Sequence, residues 1–132
     1  MRRLTLLIAA VLLPANIAFA QDRDEGEDLY MTYCASCHGA AARGKGPMSA
    51  ILMLAPTDLT KLTTVNGGDF PISRVIARID GRDPLVAHGS PMPVFGNFFE
   101  GRGKTMRDET GVLIMTSQPI LDMVAFLQAV QE

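Results

Sequence analysis

The apolar positions of this chain fall into three stretches of helical period, separated by long segments that have no period. Ile72, Val75, Ile76 and Ile79 stand at i, i+3, i+4 and i+7, a one-sided stripe that predicts a helix from about Pro71 to Asp80. Pro71 suits its first turn, Gly81 its end, and Gly67-Gly68-Asp69 the loop before it. Ile120, Val124, Leu127 and Val130 form a second stripe with Phe126 beside it. That helix starts near Ser117 and carries Pro119 in its first turn. Leu29, Tyr33 and Cys37 recur every four residues and predict a first helix, ending near Gly39, with that face turned inward. The acids Asp22, Asp24, Glu25, Glu27 and Asp28 open it, where negative charge complements the helix dipole.

The segments between read as loops. Residues 40–62 contain the turn Gly44-Lys45-Gly46-Pro47 and one short apolar piece made of Met48, Ile51, Leu52 and Leu54. From 81 to 117 the chain is interrupted by Pro84, Gly89, Pro91, Pro93, Gly96, Gly101, Gly103 and Gly111. Val112-Leu113-Ile114-Met115 fits a short strand and a buried loop equally well. The pattern predicts an all-α fold of three or four helices joined by long loops.

The first twenty residues stand outside this pattern. Arg2 and Arg3 precede an uncharged apolar run, Leu4 to Leu13, and Ala18-Phe19-Ala20 offers a small-x-small cleavage site. The run is too short for a bilayer that needs about 20 apolar residues, and Pro14 and Asn16 break its continuation. Residues 1–20 are therefore expected to be a cleaved signal peptide and residues 21–132 a single exported domain without stable membrane insertion. No cysteine stands at the cleavage point to take a lipid anchor. Export points to a periplasm. The full chain has 12 basic and 14 acidic residues, and loses two of the basic ones with the leader. A mildly acidic domain of this kind is a poor nucleic-acid binder.

The chemistry lies in Cys34-Ala-Ser-Cys37-His38, since C-x-x-C-H is the pattern of c-type haem attachment. Two thiols three residues apart lie within about one helical turn, close enough to form thioethers with both vinyl groups of one porphyrin. The histidine that follows then falls under the iron. A structural zinc site needs four ligands, and the chain has only two cysteines and two histidines. A redox C-x-x-C pair belongs with a βαβ pattern, which is missing here. One such motif means one haem. No Ser/His/Asp or paired-carboxylate set stands out, so the chain is not read as an enzyme.

The iron's other face has three possible occupants: a methionine, His88, or none. Of eight methionines, Met92 is distinctive because Pro91 and Pro93 stiffen the backbone on both sides of it. Composition alone would favour Met92 as a flexible core filler. Two histidines would lower the potential, whereas a Met/His pair raises it.

The order of first helix, C-x-x-C-H, G-x-G-P turn, middle helix, Met92-Pro93 loop and C-terminal helix resembles the class I c-type cytochromes, over about Glu25 to Gln131. The resemblance implies a cytochrome c-like fold around one haem c, bound covalently through Cys34 and Cys37, with His38 and Met92 as axial ligands. It sets Gly26 and Tyr30 of the first helix against Phe126 of the last. It also gives Pro47 the carbonyl that accepts Nδ1–H of His38. Arg74, Arg78 and Arg82 become candidates to neutralise haem propionates, although exterior arginines are usually just solvated. The stretch from Asn97 to Thr116 departs from the pattern, being longer than compact members require.

The function implied is a soluble periplasmic carrier of single electrons. Its partners would be redox proteins: a membrane reductase, an oxidase or a periplasmic dehydrogenase. Two rivals remain at this point. One is a haem-bearing subunit of a dehydrogenase or sulfur-oxidising complex, and the other a ligand-binding or sensor haem protein.

Overall fold

A computed structural model describes residues 21–83, 92–96, 98–99, 101 and 103–132. The leader and His88 lie outside the described residues, as does Pro91. Helix α1 runs over Arg23–Tyr33 and is started by Asp22, whose carboxylate accepts from the N–H groups of Asp24 at 3.0 Å and Glu25 at 3.2 Å. The acidic opening is thus a cap as well as a dipole complement. Cys34 interrupts the helix, and a single further turn, α2 (Ala35–His38), follows and stops at Gly39 with φ +81°. Short 3₁₀ turns occupy Pro47–Ile51 and Leu59–Lys61, and a single turn α3 covers Leu62–Val65. Helix α4 is Ile72–Asp80, and α5 is Gln118–Ala129 with Ser117 before it.

The core is the meeting of α1, α4 and α5. Val75, Ile76 and Ile79 of α4 are buried, as the stripe requires, with Ile120, Met123, Val124, Phe126 and Leu127 of α5. On α1 the buried residues are Gly26 and Tyr30, whereas Tyr33 is exposed and Leu29 half-buried. The inward face is therefore rotated by about one residue from the Leu29-Tyr33-Cys37 stripe. The reason lies in the crossing: Gly26 has no side chain and lets the backbone of α5 close over it, and Tyr30 then meets Phe126 with ring centroids 4.9 Å apart. An alternation of apolar residues cannot show a face that is centred on a glycine.

The Asn97–Thr116 stretch contains a two-stranded antiparallel sheet, so the all-α expectation gains a small β element. Strand β1 (Gly103–Arg107) pairs with β2 (Leu113–Ser117) in the register Gly103↔Ser117 to Arg107↔Leu113. Asp108 builds the turn by accepting from Thr110 N–H at 2.9 Å and Val112 N–H at 2.8 Å, and Gly111 supplies a φ of +85°. One face of the hairpin places Met106 and Ile114 against the core, while Leu113 and Met115 face solvent. The fold is mostly helical. No helix among the described residues is long and apolar enough to cross a membrane.

Candidate haem-attachment site

Cys34, Cys37 and His38 share the single turn that ends the first helical stretch, and both thiols are free and half-buried. Cys34 Sγ lies 4.0 Å from Met123 Sδ of α5. Burial, with a smaller contribution from the neighbouring Cys37, pushes the Cys34 thiol up to about 11. At neutral pH it is a protonated, apolar-packed sulfur.

His38 is oriented through its ring. Nδ1 stands 3.0 Å from the carbonyl oxygen of Thr57. A carbonyl only accepts, so Nδ1 carries the proton and Nε2 keeps its lone pair. Burial lowers the His38 pKa, against a smaller raising effect of the Thr57 bond. The result is a neutral imidazole with one free nitrogen, the form that ligates a metal. The acceptor corrects the expectation for Pro47, whose position is taken by a residue ten further on. Pro47 opens the 3₁₀ turn at 47–51 instead.

The loop that brings Thr57 round is clamped to the C-x-x-C-H turn. Gly46 N–H donates to Cys37 O at 3.0 Å and Gly44 N–H to His38 O at 2.7 Å. A side chain at Gly46 would place its Cβ 2.4 Å from Ser36 O, and one at Gly44 2.2 Å from Pro56 O. The G-x-G spacing is thus a steric requirement for laying this loop on the turn. Tyr30 adds a buried tie, its hydroxyl donating to Gly39 O at 2.6 Å. Burial, aided by Cys34, raises the Tyr30 pKa well above that of an ordinary phenol, so the proton stays on to donate. Tyr30→Phe should cost about 1 kcal/mol of unfolding free energy by denaturant titration, since Gly39 O keeps its bond from Ala42 N–H at 2.9 Å.

Met92 is half-buried and packs on the same core as Cys34. The loop after it is pinned by Phe95 N–H donating to Ile79 O at 2.9 Å. Around that anchor lies an aromatic group that the hydrophobic pattern did not reveal. Tyr33 meets Phe99 edge-on at 5.3 Å and Phe95 at 6.3 Å, and Phe95 and Phe99 lie 5.7 Å apart. Phe98-Phe99 directly after the Met92 loop was the available signal. Two of the three candidate arginines are engaged with aspartates: Arg78 pairs with Asp83 at 3.2 Å, and Arg82 with Asp80.

The donor set fits a haem c: two soft thiols and a neutral, hydrogen-bonded imidazole on one turn, with a thioether on the same core. Neither a curated protein nor a solved structure matches the chain significantly. The family model described as Cytochrome c matches residues 24–131, which run from the first turn of α1 through α5 and include all four candidate haem residues. On that match and this geometry, the chain belongs to the cytochrome c family.

Proposed function

We propose that this protein is a periplasmic carrier of single electrons, with one haem c joined to Cys34 and Cys37 and its iron held between His38 and Met92. Membership of the family makes it a haem-binding electron-transfer protein whose partners are redox proteins. The observation that carries the finer reading is the His38 ring, neutral and fixed at Nδ1 by Thr57, directly after the two thiols. Haem c supplies a one-electron iron couple. The chain's own residues do the rest. Cys34 and Cys37 hold the group against dilution, and Thr57 fixes the ring of His38 and raises its basicity. Met92, as the sixth ligand, would close the iron to exogenous substrates and raise the potential.

Absorption spectra of the matured protein test this directly. A low-spin spectrum with the weak sulfur-to-iron charge-transfer band supports His/Met ligation, whereas a high-spin spectrum rejects it. Met92→Ala should abolish that band. It should also lower the potential by a sizeable part of the roughly 0.8 V range that axial ligands span. An unchanged band and potential would remove Met92 from the iron.

One observation favours a second reading, a subunit docked to an enzyme. Phe98 is 72 % exposed while its ring meets Tyr33 at 6.2 Å, beside the Met92 loop. Copurification of the native protein in fixed stoichiometry with a dehydrogenase would establish that reading, and a monodisperse free protein would reject it.

A further inference from the structure

The hairpin that departs from the family pattern touches both ends of α4. At the N-terminal end the Glu109 carboxylate, in the hairpin turn, accepts from Ser73 N–H and Ser73 Oγ, each at 3.4 Å. At the C-terminal end Arg82, two residues past the helix, donates Nη2 to Met115 O of β2 at 2.8 Å. The same arginine donates Nε to Asp80 Oδ2 at 2.6 Å and its backbone N–H to Asp80 Oδ1 at 3.0 Å. Arg82 therefore ties the last turn of α4 to the hairpin, with two bonds to Asp80 and one to β2.

That same turn carries the Met92 loop. Phe95 N–H bonds to Ile79 O, and Val94 fills the space where a side chain on Gly81 would sit, 2.2 Å from its Cγ1. Gly96 approaches so closely that a Cβ there would fall 2.4 Å from Asp80 O. Residues 79–82 are thus a joint, with the hairpin on one side and the Met92 loop on the other. A ligand on a loop is held only as firmly as the loop's anchor.

We propose that Arg82 is a positioning residue for Met92: by fixing the last turn of α4 to β2 it holds the anchor of residues 93–96 and so keeps the thioether on the iron. This rests on Met92 being the sixth ligand. The Arg82 side chain is 54 % exposed and its bonds are replaceable by water, so Arg82→Gln should fold. Imidazole competes with Met92 for the iron, and its apparent affinity rises as the fraction of protein with Met92 bound falls.

The experiment is an imidazole titration of the ferric holoprotein, followed at the charge-transfer band, for wild type, Arg82→Gln and Glu109→Gln. Arg82→Gln should bind imidazole about three- to tenfold more tightly, the range for losing partly exposed charged hydrogen bonds. Glu109→Gln loosens the hairpin at the far end of α4 and should lower the melting temperature with imidazole affinity within about twofold of wild type. Equal affinities in all three proteins, or equal gains in both variants, would overturn the positioning role while leaving Met92 as ligand. A wild-type protein without the charge-transfer band would overturn both.

Discussion

Replacing Cys34 and Cys37 together by serine should abolish covalently retained haem. Intact mass measured under denaturing conditions should show the added haem on the wild-type chain and none on the double variant. Thioether formation needs a soft, nucleophilic sulfur, which the hydroxyl of serine does not replace. Serine is close to cysteine in size, so the turn that presents His38, and its clamp through Gly44 and Gly46, should survive the exchange. Any haem that remains would then be held by axial ligation and packing alone, and denaturation would release it. Each single variant should keep one thioether and retain haem mass. Haem mass persisting on the double variant would reject attachment through these sulfurs.

What could be read from the chain was what local physics decides. Helix α4 is the clearest case: its stripe, its proline entry and its glycine exit all lie within eleven residues, and Gly81 adopts the expected left-handed turn with φ +84°. Helix α5 and its start after Ser117 were legible for the same reason. The C-x-x-C-H turn was legible because covalent chemistry demands a fixed spacing, whatever the fold. The rotation of α1 was not legible in the apolar pattern, because the centre of its buried face is a glycine. Only the family resemblance set Gly26 and Tyr30 against Phe126, and the structure bears that out.

The hairpin was hidden by its two faces. Period-two alternation needs one apolar and one polar face, and here Leu113 and Met115 lie outward while Met106 and Ile114 lie inward. Its local signals were the Asp108…Gly111 turn and Val112-Leu113-Ile114-Met115, which fits a strand and a buried loop equally well and of which 113–115 lie in β2. The acceptor for His38 was beyond local reading altogether. Thr57 lies nineteen residues past the histidine, and the family resemblance points instead to Pro47 in that interval. Which carbonyl arrives is set by how the loop packs on the turn, and that depends on the absence of side chains at Gly44 and Gly46. The spacing of Cys34, Cys37 and His38 is local and stands in the sequence, whereas the carbonyl that orients His38 depends on how a distant loop packs.

Gly26→Ala should be the most damaging single methyl group added to the core. An ideal Cβ at this position would lie 2.0 Å from Asp122 O, 2.4 Å from Asp122 C and 3.0 Å from Met123 N. All three atoms are helix backbone, so no side chain can swing away, and α1 and α5 must separate along their whole crossing. That separation would loosen the Tyr30–Phe126 ring contact and the bond from Asp22 N–H to Asp122 Oδ1 at 2.8 Å. Alanine gains about 1 kcal/mol over glycine in helix propensity, which acts in the opposite direction. The clash wins: overpacking of rigid atoms should leave a net loss of about 3 kcal/mol. For a domain of this size the melting temperature should fall by roughly 10–20 °C. Gly103→Ala is the matched control. Nothing lies within 4 Å of its Cβ position and its φ is not left-handed, so it should melt close to wild type. If Gly26→Ala melts with the control instead, the two helices do not meet backbone to backbone, and the rotation of α1 that buries Tyr30 needs another cause.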